Sequence, residues 1–380
     1  MLDEGRLAGA AVVSAAGVWA VTPGAIRLAG RSGFLDHPTG YKKHHVPTAY
    51  LGGAAVLAGF LAGALLFGSA FTRFAPIVVC ALALAVVGTI DDRVTVRPLY
   101  RVLSEVAAAA AITAFGLGWT FLSSPLEEFV LNAVWIVAFV NAFNLFDNMN
   151  GAAGAAGATC ASGIAALAIV EGDTRLAAFA LAITGACIGF LRFNLTSSGR
   201  ARIFLGDGGS MPLGFLLAVA AANIPVADGL GWPKLLVAGM LLGLLVLDTL
   251  LVIVSRSRRD IALVTGGQDH LTHRLHGKVG SPLQVAAVLV LAQGTLSGIT
   301  VLVSQSGRTA IITAGLLSLS LGALAIALLD SPSWAGEVSE PERKPVEPSG
   351  EPAPRLSARR IGVEPGQVDV DALQVRGNVQ

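Results

Sequence analysis

Charge is what this chain has least of. Of its 380 residues only 13% are Asp, Glu, Lys or Arg, against 54% hydrophobic, and the mean hydropathy is +0.69. So little charge cannot coat a water-soluble globule of this length, and the chain reads as a membrane protein. An excess of one sign is also missing, because 26 Lys and Arg are scattered among 25 Asp and Glu. That excludes a basic nucleic-acid footprint, and nucleic acid is not expected as a partner. Cysteine is scarce: Cys80, Cys160 and Cys187 each sit in an apolar run without C-x-x-C spacing. A disulfide framework and a cysteine zinc site are therefore not expected. The opening Met1-Leu2-Asp3-Glu4-Gly5-Arg6 lacks the basic n-region of a cleavable signal peptide, so the first apolar run is expected to remain as a span.

What the chain has in quantity is long apolar runs. A bilayer core about 30 Å thick needs about 20 residues of helix, and eleven windows approach that length: 7–26, 48–70, 75–90, 103–121, 128–146, 152–170, 176–191, 211–227, 235–254, 283–303 and 309–329. In lipid only helices and closed barrels pair all their backbone groups, and runs this long exclude a barrel. The expected fold class is all-α, a polytopic integral membrane protein of about 10–11 transmembrane helices. With the N-terminus placed outside, fifteen basic residues before the tail fall inside, and five, Arg6, Arg73, Arg175, Lys234 and Arg308, fall outside. Positive residues collect on the cytoplasmic side, so the N-terminus is expected outside and the C-terminus in the cytoplasm. From Ser331 seven prolines alternate with Glu, Ser and Arg. The expected division is a multi-pass transmembrane domain over 1–330 and a disordered cytoplasmic tail over 331–380, with no solenoid repeat.

This topology puts the dense polar clusters on one side. They are Asp36–Gly53, Gly88–Arg101, Asn141–Gly154, Phe204–Gly214 and Gly266–Leu275. Hard oxygen ligands, imidazoles and cations at one membrane face suit a water-soluble anionic substrate and a divalent metal. Each cluster alone has a plainer reading. Asp91 and Asp92 can be a solvated helix end, although adjacent carboxylates beside a low-dielectric region need a balancing cation. Asn141, Asn144 and Asp147 share a helical stripe and can simply join helices. Gly206-Asp207-Gly208-Gly209-Ser210 reads as a flexible loop entering a helix, fit for phosphate, or as a plain turn. His270, His273 and His276 can hold a transition metal, or can donate to phosphate oxygens with Arg274. Lys42, Lys43, His44 and His45 fit a positive-inside run. Asp248, inside an apolar span, is a functional candidate or orients Arg256.

In this order on a polytopic chain, the blocks resemble the polyprenyl-phosphate N-acetylhexosamine-1-phosphate transferase family. The resemblance rests on Asp36-x-Pro38 with Lys42, His44, Pro47 and Gly52-Gly53; Asp91-Asp92 with Arg101; and Asn141-x-x-Asn144-x-x-Asp147. Gly206-Asp207-x-Gly209-Ser210 with Gly214 and His270-x-x-His273-Arg274-Leu275 complete it. It covers about residues 7 to 329. It implies an active site at the cytoplasmic face of the inner (plasma) membrane, where a sugar 1-phosphate passes from a UDP-sugar to polyprenyl phosphate with release of UMP. The implied cofactor is magnesium, with manganese as the alternative ion, and the implied partners are a UDP-N-acetylhexosamine, polyprenyl phosphate, the bilayer and a second copy of the chain in a homodimer.

The resemblance also assigns roles. Asp207 is the leading magnesium ligand, with Asn144 or Asp147 as the second. Asp91 and Asp92 position or deprotonate the lipid phosphate, and Lys42, His44, Arg101, His270, His273 and Arg274 bind phosphates. Asn141, Asn144 and Asn150 join the substrate-binding set. Four positions depart from the family pattern: Asn150 replaces a carboxylate, Arg101 a lysine, Glu105 a glutamine and Thr272 a histidine. The last block looks more like the UDP-GlcNAc branch than the branch using UDP-MurNAc-pentapeptide, which commonly carries a histidine triplet. A different class, a secondary transporter carrying ions on Asp147 and Asp248, would need internal repeats and deep polar residues that are not evident.

Overall fold

The computed structural model describes residues 4–36, 47–65, 68–196, 200–226, 231–263 and 267–335. Lys42 and His44 lie outside the described residues, as do residues 336–380 of the expected tail. Among the described residues the chain forms fourteen helices and one two-stranded ribbon, without a barrel. This is the all-α polytopic class. Ten of the apolar windows each have one main helix: α1 (Glu4–Ser32), α2 (Gly52–Leu65), α3 (Gly68–Val94), α4 (Pro98–Ala114), α5 (Pro125–Phe146), α6 (Ala152–Val170), α7 (Thr174–Asn194), α8 (Asp207–Ala222), α12 (Pro282–Ser304) and α13 (Arg308–Leu329). The remaining window, 235–254, falls on α9 (Pro233–Leu241) and α10 (Gly243–Arg258), bent by 88° at their junction. Seven helices, α1, α3, α5, α6, α7, α12 and α13, are long and apolar enough to cross a membrane. The bent pair makes an eighth if it is one span, and α2 and α8 are shorter apolar helices.

Local chemistry sets many of the helix starts. Proline occupies the first turn of α4, α5, α9 and α12, where its missing N–H costs nothing. Asp173 accepts from Arg175 N (3.1 Å) and Leu176 N (2.9 Å) to cap α7. The bend between α9 and α10 frees backbone groups that lipid cannot satisfy, and one side chain takes them up. Gln293 Nε2 donates to Met240 O (3.1 Å) and Leu241 O (2.9 Å), while its Oε1 accepts from Leu244 N (3.0 Å).

Helix α8 is the hub: every residue from Gly208 to Ala222 is buried, and α3 and α5 pack along it. Its entry is positioned by the ribbon of β1 (Leu35–Asp36) and β2 (Thr48–Ala49), antiparallel with Leu35 opposite Ala49. Beyond β2 the strand-like pairing continues onto the segment before α8. Phe204 N donates to Ala49 O (2.8 Å), Gly52 N to Phe204 O (3.0 Å) and Gly53 N to Leu205 O (3.0 Å). The short α11 (Leu271–Val279) follows the Gly267–His270 segment, and α14 (Pro332–Ala335) lies in the stretch assigned to the tail. There Lys278 Nζ donates to Ser333 O (2.6 Å) and sits 5.3 Å from the Trp334 ring centroid. The helical part thus runs past the expected boundary at 330.

Candidate active site

Four helix ends meet at one place. The end of α3 supplies Asp91 and Asp92, the first turn of α4 supplies Arg101, the end of α5 supplies Asn144 and Asp147, and the start of α8 supplies Asp207. Arg101 Nη1 donates to Asp91 Oδ2 (2.8 Å) and to Asp207 Oδ2 (3.0 Å). Asn144 Nδ2 donates to Asp207 Oδ1 (2.6 Å) and to Ser210 Oγ (2.9 Å). The Gly206–Ser210 segment is therefore less a loop than a helix start, since α8 begins at Asp207 itself. Close backbone approach explains two glycines. A Cβ on Gly88 would lie 2.2 Å from Asp207 O, and one on Gly53 would lie 2.3 Å from Gly209 N. Neither α2 nor α3 could reach the α8 entry with a side chain there.

Asp92 has a job that sequence alone did not separate from that of Asp91. Its Oδ1 accepts from Asp207 N (2.8 Å) and its Oδ2 from Gly208 N (3.0 Å), so both oxygens cap the N-terminus of α8. Asp91 instead accepts from Val96 N (2.5 Å) and Arg101. Asp147, just past α5, accepts no side-chain hydrogen bond among the described residues. Burial pushes its carboxyl up to about 7, with the neighbouring charges of Asp207 and Asp92 adding to the shift. Arg101 thus pairs with two of the four carboxylates, Asp91 and Asp207.

Other expected residues are placed differently. Asn141 is engaged by protein: its Nδ2 donates to Glu105 Oε2 (2.7 Å) and Val137 O (2.9 Å). His270 is buried, with Nδ1 2.9 Å from Asp248 Oδ2, and Leu271 N donates to Asp248 Oδ1 (2.6 Å). Asp248 therefore orients His270 and caps α11, while Arg256 pairs with Asp269 at 2.6 and 2.8 Å. His273 is half-buried beside His270, their ring centroids 6.2 Å apart. Among the described residues no three His, Cys, Asp or Glu side chains are arranged as a ready metal site, so the three-histidine arrangement is not formed. Arg274 has protein partners throughout. Expected on phosphate, it is buried and taken up by protein acceptors: Nε on Asp269 O (3.0 Å), Nη1 on Leu329 O, and Nη2 on Ser255 Oγ (2.7 Å) and Asp330 Oδ1 (3.4 Å). A guanidinium this enclosed fixes α11 against the ends of α10 and α13. Asn150 stands in the partly exposed turn between Asp147 and α6.

Several residues were given no role in advance. Ser210 completes the Asn144 bridge. Thr272 Oγ1 donates to Asn148 Oδ1 (2.5 Å) and so ties the α11 segment to the turn after α5. Glu105 is fully buried and lies behind Arg101, one helical turn along α4. Its signal was present, as a carboxylate inside an apolar window. Asn148 left no signal and Thr272 showed only as a departure from the family pattern, because their pairing spans 124 positions of sequence.

The donor set fits a divalent cation. Asp91 and Asp92 are committed to Val96, Arg101 and the start of α8, which leaves Asp207, the Asp147 carboxylate and Asn144 as the oxygen donors that could hold it. Comparison with known proteins bears on the family. The family model of "Glycosyl transferase family 4" matches residues 74–224, the stretch from α3 to α8 that carries the whole cluster. A "Probable undecaprenyl-phosphate N-acetylglucosaminyl 1-phosphate transferase" of Bacillus subtilis is 28% identical over 80% of this chain and 87% of its own length. A "Decaprenyl-phosphate N-acetylglucosaminephosphotransferase" of Mycobacterium tuberculosis is 30% identical over 71% of this chain and 76% of its own. An "Undecaprenyl-phosphate alpha-N-acetylglucosaminyl 1-phosphate transferase" of Escherichia coli is 25% identical over 74% and 79%. With similarity running through the bundle and the cluster inside the matched segment, the chain belongs to glycosyl transferase family 4 and is a phosphotransferase of the membrane.

Proposed function

We propose that this enzyme transfers N-acetylglucosamine 1-phosphate from UDP-N-acetylglucosamine to polyprenyl phosphate and releases UMP, with magnesium as cofactor. The reaction runs at the cytoplasmic face of the plasma membrane as the first membrane step of an envelope glycan. The observation that carries this reading is the meeting of Asp91, Asp92, Arg101, Asn144, Asp147 and Asp207 at four helix ends. The names of the relatives supply the sugar and the acceptor class.

An acceptor phosphate oxygen forms a bond to the sugar-bearing phosphorus of the donor, and the bond from that phosphorus to the UMP oxygen breaks. The acceptor monoester has a second pKa of about 6, so it arrives mostly dianionic and needs little deprotonation. The task left to the protein is to hold two anionic phosphates in line and to stabilise charge on the leaving UMP. Arg101 supplies a fixed cation between Asp91 and Asp207. Asp92 holds the backbone at Asp207 and Gly208, and Asn144 orients the Asp207 carboxylate. Asp207, with Asp147 or Asn144, would hold a magnesium ion, which when bound offsets the carboxylate charge that would otherwise repel phosphate. His273, half-buried beside Thr272, would donate to phosphate from the last block. One pyrophosphate linkage replaces another, so the reaction is near thermoneutral.

The test is purified protein given polyprenyl phosphate and a panel of UDP-sugars, read by product mass. Polyprenyl-pyrophosphoryl-N-acetylglucosamine is expected, together with metal-dependent exchange of labelled UMP into the donor. Folded protein that makes no product and no exchange with any UDP-N-acetylhexosamine would refute the reading.

A further inference from the structure

A second polar site shares no residue with the carboxylate cluster. Helices α1 and α7 run side by side in parallel, close enough that a Cβ on Gly185 would lie 2.0 Å from Ala11 O. One turn on, Trp19 Nε1 donates to Gly189 O (3.1 Å). Past that point the pair opens into a shallow surface depression of about 470 Å³ lined by Trp19, Arg192, Leu195, Thr196 and Arg202. The Arg192 guanidinium stands 5.5 Å from the Trp19 ring centroid, and that of Arg202 stands 5.5 Å from the centroid of Phe193. Both side chains are exposed, and neither forms a hydrogen bond or ion pair among the described residues. The nearest acids on these helices are at the opposite ends, Glu4 at the start of α1 and Asp173 capping α7.

Two arginines held on aromatic rings with no carboxylate between them form a preorganised anion site. The wall beside it is apolar. Val12, seven residues before Trp19 on α1, and Ile188, four before Arg192 on α7, are 67% and 49% exposed on the same faces. Tryptophan with arginine at one end of an exposed apolar stripe is the pattern of a membrane–water interface. Basic pockets between transmembrane helices at that level take lipid head groups.

We infer that Trp19, Arg192 and Arg202 form a binding site for the phosphodiester head group of an anionic bilayer phospholipid, whose acyl chains lie along Val12 and Ile188. The site is separate from the catalytic cluster and independent of the donor and acceptor assigned above. Its test needs no turnover. Purified protein is titrated with phosphatidylglycerol or phosphatidylcholine, and bound lipid is counted by native mass spectrometry, with inorganic phosphate and polyprenyl phosphate as competitors. The wild type is expected to retain one phosphatidylglycerol per chain that phosphatidylcholine does not replace. Each of Arg192→Gln and Arg202→Gln should weaken that binding about fivefold, and the double variant about 25-fold. Arg192→Lys with Arg202→Lys keeps the charge and should keep most of the binding, which guards against a glutamine pair that fails to fold. Equal retention of phosphatidylglycerol by wild type and folded single variants would overturn the inference. So would equal binding of phosphatidylcholine, displacement by millimolar inorganic phosphate, which marks a free-anion site, or preferential occupation by polyprenyl phosphate, which marks an acceptor subsite.

Discussion

Replacing Asp92 with asparagine separates two jobs a carboxylate can do at this position. As a general base it would take a proton from the acceptor phosphate; as a cap it would hold Asp207 in place. The structure shows both oxygens engaged by backbone amides, at 2.8 Å on Asp207 N and 3.0 Å on Gly208 N. Hydrogen bonds to an ionised group contribute about 1.5–3 kcal/mol each. A negative charge at a helix N-terminus adds about 0.3–1 kcal/mol. Asparagine keeps one acceptor oxygen and turns an amide NH2 toward the second N–H, leaving that donor without a partner. Against this, the substitution removes a charge beside Asp91 and Asp207 and so recovers part of the loss. The balance is a destabilisation of the α8 entry by about 2 kcal/mol, or about thirtyfold in correctly presented Asp207. Labelled-UMP exchange across pH, paired with thermal unfolding in detergent, reads both quantities. Turnover should fall about thirtyfold at every pH, with a lower unfolding midpoint. A general base behaves otherwise, with a loss of about 10²–10⁴ and an ionisation missing from the pH profile. That pattern with an unchanged midpoint would refute the capping argument.

Asp207→Asn should abolish metal-dependent turnover while the unfolding midpoint stays close to wild type, since Asn144 and Arg101 remain to fill the site; wild-type exchange rates would remove Asp207 from it. Gln293→Leu strips partners from Met240 O, Leu241 O and Leu244 N at the 88° bend. At about 1–3 kcal/mol per buried unsatisfied group, a loss of about 3 kcal/mol or more is expected in thermal unfolding, and an unchanged midpoint would contradict it. For Asp269, burial alone would raise the carboxyl, but hydrogen bonding and the charge of Arg256 outweigh it and hold the group below its ordinary value. Its stabilisation is therefore present at neutral pH and is lost as pH falls from about 4 through the lowered value. Asp269→Asn should start with a lower midpoint and show a flatter acid limb, whereas an acid limb as steep as wild type would assign the acid sensitivity elsewhere. Asn150→Asp should change donor affinity among UDP-, CDP- and TDP-sugars more than turnover; a large gain in turnover at unchanged affinity would show that the amide weakens the chemical step.

The fold was legible where physics is one-dimensional. A run of apolar residues long enough to cross lipid must be helical, and each of the eleven windows has a helix over most of its described residues. What the windows could not show was how helices end and bend. The 75–90 run extends to Val94 because the helix continues through Asp91 and Asp92, whose partners come from α4 and α8. The 235–254 run reads as one straight span, yet it breaks at Leu242 because Gln293, about fifty positions later, satisfies the opened backbone. Thr48 and Ala49, counted in the second window, are spent on pairing with the segment that leads to Asp207.

The site was legible for its acids and less so for its bases, and the reason is competition for partners. A motif tells which groups are crowded together but not which partner each finds first, and a buried polar group takes whatever partner the fold supplies. Arg101 and Arg274 look alike in sequence, each one cation among polar neighbours. Arg274 is satisfied by Asp330, Ser255 and two carbonyls, with Asp330 lying 56 positions away. Arg101 is shared between two carboxylates that still outnumber it. His270 is likewise claimed by Asp248, while His273 stays half-buried beside it. The groups left for chemistry are those the fold leaves underpaired. By that measure Asp147, with no side-chain hydrogen bond, and Asp207, sharing its cation with Asp91, are where an added positive charge gains most.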